Sequence, residues 1–193
     1  MDLLALANQE KFIELLRKTK REGIENLIKW LMGTDFFSAP ASTRFHSNYE
    51  GGLCQHSLNV YEVFSKKCKD NRVSLSEDSV TIAALLHDIC KANYYVASTR
   101  NAKKDGKWIQ VPYYAVEDQN PLGHGEKSCL IIQTFIKLTK EELYSIRWHM
   151  GGYEPKENLN TISTAWNMCK AAVLLHTADL EASYLMEEHR EVL

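Results

Sequence analysis

No stretch of this 193-residue chain approaches the roughly 20 consecutive apolar residues that span a bilayer, and Met1-Asp2-Leu3-Leu4-Ala5 lacks the basic start of a signal peptide. These two absences predict a cytoplasmic protein with no membrane partner. Cys-x-x-Cys pairs are missing as well. Cys54, Cys68, Cys90, Cys129 and Cys169 are odd in number and widely spread, which argues against a disulfide framework or a zinc ribbon and for reduced thiols. A basic surplus is also absent. The formal net charge is -2, so strong binding to double-stranded nucleic acid is not expected, whereas a small, locally held nucleotide is compatible. There is no internal repeat, low-complexity tract or linker, and the chain reads as one folding unit.

What is present is an ordinary globular composition, 45% hydrophobic and 25% charged. The length suits one core that buries roughly 70% of the unfolded surface. Apolar spacing predicts a mainly α fold. Leu3, Leu4, Leu6, Phe12, Leu15 and Leu16 suit an amphipathic helix from Asp2 to about Lys20, and Ile24, Leu27, Ile28, Leu31 and Met32 a second one closed by Gly33. Pro40 makes the stretch from Phe36 to Ser42 a connector. A helix then resumes after Gly51-Gly52 and carries His56. Ser74-Leu75-Ser76-Glu77 reads as a capping box for a helix that starts near Ser76 and runs to about Lys91. Tyr94 to Thr99 and Trp108 to Val111 flank Asp105-Gly106 and predict one β-hairpin. Beyond it, Pro121 to Gly125 opens a helix with a buried stripe of Leu130, Ile131, Phe135 and Ile136. Thr139-Lys140-Glu141-Glu142 caps a shorter helix in the box pattern, stapled by Leu138 and Leu143. A long segment from about Thr161 to His189 has Met168, Ala172, Leu175, His176, Asp179 and Leu180 on one face.

The run from Thr81 to Lys91 places His87 and Asp88 in an apolar stretch, where an unpartnered carboxylate would cost several kcal/mol in desolvation. A hydrogen-bonded core pair and a divalent metal are both adequate partners. Further candidates shift the balance: His56, His124, His149 and Asp179 each fall on a helix or helix end of their own. Dispersed in this way, the six are hard to explain singly as core residues, yet one metal centre between helices would use them all. His189 stands in the charged tail Glu187-Glu188-His189-Arg190-Glu191, which reads as solvated surface.

The order His56, His87-Asp88, His124, His149, Asp179 resembles the HD-domain superfamily of metal-dependent phosphohydrolases, in its longer form with two extra histidines. The likeness runs from about Ala39 to Leu185. It implies a single HD-type helical domain over residues 1–193 with one β-hairpin insertion, in which 1–35 are a helical cover and 39–185 the HD core. The segment from Ala39 to Ser42, with His46-Ser47-Asn48-Tyr49-Glu50-Gly51-Gly52-Leu53-Cys54-Gln55-His56, is most similar to the HD domain of bacterial 3′-to-5′ exoribonucleases. Here two helical segments stand where those enzymes carry an oligonucleotide-binding barrel, and Cys90 stands where they usually have glycine.

The resemblance implies that His56, His87, Asp88 and Asp179 hold a first metal and His124 and His149 a second, with Asp88 bridging. A set of four imidazoles and two carboxylates suits manganese, iron, cobalt, nickel or zinc better than magnesium. The implied reaction is in-line attack of a metal-activated hydroxide on a phosphodiester of a nucleotide or short oligonucleotide. The alternatives are a nucleotide phosphomonoesterase and a metal-bound nucleotide-binding regulatory module without turnover. Lys91, one turn beyond His87, can reach a phosphoryl oxygen, and His46, Arg147 and His176 are candidates for substrate contact or for orienting a ligand. The hairpin offers Tyr94, Tyr95, Trp108, Tyr113 and Tyr114 for stacking on bases and Arg100, Lys103, Lys104 and Lys107 for phosphates, as a substrate clamp.

Overall fold

The computed structural model describes residues 3–188. Helix α1 (Leu3–Lys18) buries Ala5, Phe12 and Leu16, and α2 (Ile24–Met32) buries Ile24, Leu27, Ile28 and Leu31. Leu3, Leu4, Leu6 and Met32 lie exposed, against the expectation that they belong to the buried stripes. In the first turn the inward position is taken by Ala5, whose small side chain lies against Gly51. Arg21, just after α1, ties this cover to the rest. Its guanidinium donates to the Lys137 carbonyl and pairs with the buried carboxylate of Glu142.

Helix α3 (Gly52–Asp70) and helix α4 (Glu77–Leu86) pack against each other. The start of α4 is where the sequence predicts it, but the cap is Ser76, whose hydroxyl accepts from the Ser79 amide, rather than a box from Ser74 to Glu77. Its end is not. The helix stops at Leu86, and a short 3₁₀ turn, Ile89–Lys91, follows, so His87 and Asp88 sit on a corner instead of inside a continuous helix. Strands β1 (Tyr95–Lys104) and β2 (Lys107–Val116) then form an antiparallel hairpin in register from Tyr95 opposite Val116 to Lys104 opposite Lys107. Asp105 and Gly106 turn it, both with positive φ (50° and 79°), as a two-residue primed turn requires.

Helix α5 (His124–Gln133) buries Cys129 and Ile132, whereas Leu130 points to solvent, so the expected stripe is rotated. Helix α6 (Lys140–Arg147) begins in the predicted capping box, with Thr139 and Glu142 each accepting from the other's backbone amide. The predicted last helix is two, α7 (Leu159–Met168) and α8 (Lys170–Glu181), broken at the extended Cys169, and Met168 is exposed. A π-helical turn, Ala182–Met186, follows α8. His189 lies outside the described residues. Helix α8 packs on α3 and α6, α6 on α4, and α5 on α6, around a core that includes Phe12, Phe64, Leu85, Leu86 and Leu175. All five cysteines are buried free thiols. No described helix is long and apolar enough to cross a membrane.

Candidate metal centre

Two helices end in the same way at the centre of the molecule. At the end of α4, His87 Nδ1 donates to the Ala84 carbonyl at 2.8 Å, and past the end of α6, His149 Nδ1 donates to the Ile146 carbonyl at 2.7 Å. Each imidazole thereby satisfies a carbonyl that the ending helix leaves free. A carbonyl only accepts, so Nδ1 carries a proton in both rings, and Nε2 is the atom that each ring turns inward. The negative ends of the two helix dipoles lie here too, which favours a cation.

The remaining candidates converge on the same point. His56, fully buried on α3, has its Nε2 at 3.3 Å from His87 Nε2, 3.2 Å from Asp179 Oδ1 and 3.7 Å from Asp88 Oδ2. Asp88 lies between two sets of imidazoles. Its Oδ2 is 3.5 Å from His87 Nε2, and its Oδ1 is 3.5 Å from the Nε2 atoms of both His124 and His149. Two close approaches allow this. A Cβ on Gly125 would meet the Arg147 carbonyl at 2.1 Å, so glycine lets α5 bring His124 beside the end of α6. A Cβ on Gly52 would meet the Ser47 carbonyl at 2.0 Å, which seats the start of α3 against the loop that holds His46.

Two of these atoms have no hydrogen-bond partner among the described residues. Asp88 Oδ1 and His149 Nε2 are both buried and unsatisfied, although each such group costs about 1–3 kcal/mol when left so. Donor atoms about 2.1 Å from a shared ion lie roughly 3.0–3.4 Å apart, close to the spacings here, so these residues fit divalent ions and could hold them. His56, His87 and Asp88, and likewise His87, His149 and Asp179, bring ligand atoms within 4.8 Å of one another. Cys90 Sγ also lies within 4.8 Å of ligand atoms of Asp88 and His124, and burial pushes its thiol up to about 12.

Charge is distributed unevenly across the centre. Burial opposes a charge on His56, yet the Glu187 and Asp179 carboxylates outweigh it and raise this imidazole to about 10. For His87 and His124 burial prevails and lowers each to about 4. Burial also works against the Asp88 carboxylate, but Lys91 and the surrounding histidines hold it well below the usual range. Lys91 donates to Asp88 Oδ2 at 2.7 Å and to the Ala41 carbonyl at 2.8 Å.

Of the other predicted residues, His46 reaches the edge of the centre, its ring centroid 4.7 Å from that of His56. Arg147 pairs with Glu126 and Glu154 and lies over Trp148, tying the first turn of α5 to the end of α6. His176 donates from Nδ1 to the His149 carbonyl at 2.7 Å and stacks on Trp166. Both thus brace the turn that carries His149. The hairpin is anchored at its base, where Tyr95 donates to the same Ala41 carbonyl and Tyr94 lies under Lys127. Glu187 was missed by sequence reasoning, which placed it in solvated tail. Its side chain is 1% exposed and accepts from His46, Ser47, His56 and Asn59. A carboxylate in a charged tail carries no local signal of burial.

Against known proteins, residues 53–182 match the HD domain family. The dihydroneopterin 2′,3′-cyclic phosphate phosphodiesterase of Methanocaldococcus jannaschii is 33% identical to this chain over 104 residues, covering 51% of this chain and 38% of that protein. The chain thus spans well under half the length of that relative. No solved structure matches. His56, His87, Asp88, His124, His149 and Asp179 all fall inside the matched residues, and the chain belongs to the HD domain family.

Proposed function

We propose that this chain is a metal-dependent phosphohydrolase that cleaves a phosphodiester of a nucleotide or short oligonucleotide. The observation that carries this reading is Asp88, which turns one oxygen to His56 and His87 and the other to His124 and His149. His56, His87, Asp88 and Asp179 would hold one ion, and Asp88, His124 and His149 a second, with manganese, iron, cobalt, nickel or zinc suiting the donor set. Such ions supply a Lewis acid for a phosphoryl oxygen and lower the pKa of a water toward neutrality.

The chain's own side chains do the rest. Burial works against a charge on Lys91, but Asp88 outweighs it and keeps the ammonium protonated. Two of its three donors are taken, by Asp88 and the Ala41 carbonyl, and the third is left for a phosphoryl or leaving-group oxygen. Next to Ala41 the loop from Thr43 to Phe45 and the hairpin enclose a cleft of about 520 Å³ lined by Arg44, Phe45, Arg100, Tyr113 and Tyr114. Arg44 lies 5.2 Å over Phe45 and Arg100 6.0 Å over Tyr113. Guanidinium groups interleaved with aromatic faces suit a base and its phosphate. The relative's name, a cyclic phosphate phosphodiesterase, supports a diester.

The test is turnover by manganese-loaded protein on bis(p-nitrophenyl) phosphate, p-nitrophenyl phosphate, 2′,3′- and 3′,5′-cyclic nucleotides and a short oligoribonucleotide. Diester cleavage well above monoester cleavage is expected. Monoester cleavage alone would make the chain a phosphomonoesterase. No turnover, with a melting temperature that nucleotides raise, would make it a binding module.

A further inference from the structure

Every ring nitrogen that faces away from the centre in His87 and His149 is held by a backbone carbonyl. His56 is different. Its Nδ1 donates at 2.9 Å to Oε1 of Glu187, a residue beyond the family match, while its Nε2 stands 3.2 Å from Asp179. Both carboxylates come from one continuous stretch. Helix α8 delivers Asp179, the π-helical turn buries Ala182 and Ser183, and the extended Glu187 then re-enters the protein. The Ser47 amide fixes this return by donating to the Glu188 carbonyl at 3.3 Å.

The Glu187 carboxylate is fully used. Oε1 accepts from His56 and from Asn59 at 3.1 Å, and Oε2 accepts from His46 at 2.8 Å and from Ser47 at 2.7 Å. Four donors on two oxygens exhaust what a carboxylate can accept, and hydrogen bonds to a charged acceptor are the strong ones. Such a group is not a tail residue that happens to be covered. Nor is it available to a metal, since every lone pair is committed.

We propose that Glu187 is the positioning residue of the metal centre: it fixes the tautomer and ring orientation of His56, so that Nε2 is the atom offered to the ion, and locks His46 beside it. The proposal rests on the metal-dependent reading above. It makes the stretch after α8 part of the site and assigns His46 to this lock instead of to substrate. A carboxylate behind a ligating imidazole also strengthens it as a donor, and loss of such a partner typically lowers metal affinity about 10–100-fold.

The test compares wild type with Glu187→Gln, Glu187→Ala and the control Leu185→Ala, a solvent-facing position in the same stretch. Metal-free protein is titrated with Zn²⁺ by calorimetry, and the His56 ring nitrogens are followed by long-range ¹H–¹⁵N NMR. Glutamine offers one oxygen where two pairs of donors need two, so Glu187→Gln is expected to weaken the tighter Zn²⁺ site about 10-fold and Glu187→Ala by up to about 100-fold. The Nδ1–H signal of His56 should be lost or displaced in Glu187→Ala, and Leu185→Ala should match wild type. Affinities within twofold of wild type in both Glu187 variants, with the His56 signals unchanged, would overturn the proposal. So would variants that do not fold, judged by circular dichroism without metal, because Glu187 would then be holding the fold. A wild-type protein that binds no Zn²⁺ would instead overturn the metal-dependent reading itself.

Discussion

The helical centre and the β-hairpin meet at the carbonyl of Ala41, which accepts from Lys91 on one side and Tyr95 on the other, yet the two regions hold charge in opposite ways. In the centre, Asp88, Lys91, His56 and Glu187 are all removed from water, and each is held by partners of opposite charge or by donors that exhaust its lone pairs. On the hairpin, Lys103, Lys104 and Lys107 stand at an exposed tip and Trp108 is 72% exposed. Charges that water already solvates cost little to add or remove, whereas a buried charge that loses its partner costs several kcal/mol. The centre should therefore be intolerant of change and the hairpin tolerant of it, and substitutions can test how far that contrast goes.

The largest effect should come from Asp88→Ala, which removes the carboxylate shared by both sets of imidazoles. Turnover should fall by about 10³-fold or more, and elemental analysis should show metal lost from the whole centre. Retained metal would mean that Asp88 does not join the two halves. His124→Ala and His149→Ala should each leave one ion instead of two and remove most activity, with far-ultraviolet circular dichroism unchanged. A fully loaded wild type with a single ion would remove the two-metal arrangement. Lys91→Ala should lower kcat by about 10²-fold with KM within about threefold, since its free donor is proposed to act on charge that develops in the transition state. An unchanged kcat would take Lys91 out of the reaction.

A smaller effect is expected from pH. Without metal, His56 is protonated near neutral pH because its pKa is raised to about 10, while His87 and His124, lowered to about 4, are already neutral. An ion held by His56 would have to displace that proton. Affinity should therefore rise about tenfold per pH unit across the neutral range and fall more steeply as pH approaches 4, with proton release visible by calorimetry in buffers of different ionisation heat. Affinity that is flat from pH 6 to 8 would place the ion away from His56. The smallest effect belongs to the hairpin. Neutralising Arg100, Lys103, Lys104 and Lys107 together should raise KM for an oligonucleotide about 3–10-fold, flatten its salt dependence and leave metal content and cleavage of a small diester untouched. Any change in metal content would break the separation between the two regions.

The two regions also differ in how readily their sequence is read. The six clustered histidines and aspartates were legible as candidates because imidazoles and carboxylates in apolar surroundings, such as His87-Asp88 after Leu85-Leu86, demand a partner wherever they occur. The hairpin and the Thr139 box were legible because turn and cap residues act locally. The corner at His87 was not, because no glycine or proline marks it and the interaction that ends α4 is the His87 side chain itself. The break at Cys169 likewise has no breaker residue. Leu130 and Met168 failed as buried positions because small changes in helix rotation, set by tertiary packing, decide which of several apolar residues faces inward. Glu187 depended on a π-helical turn and on partners more than 120 positions away, among them His46 and His56, and nothing near it in sequence distinguishes it from Glu188.

The five buried thiols carry a consequence for how the protein should age. Burial pushes Cys54, Cys90 and Cys129 up to about 12 and Cys68 up to about 11, so these four present almost no reactive thiolate at physiological pH, and the Cys169 side chain is buried from solvent. Sulfur is thus a poor target for oxidants or alkylating reagents while the fold is intact. If the resident ion is iron or manganese, activity that decays in air would report the redox state of that ion, and chelation followed by fresh reduced metal, rather than a thiol reductant, would restore it.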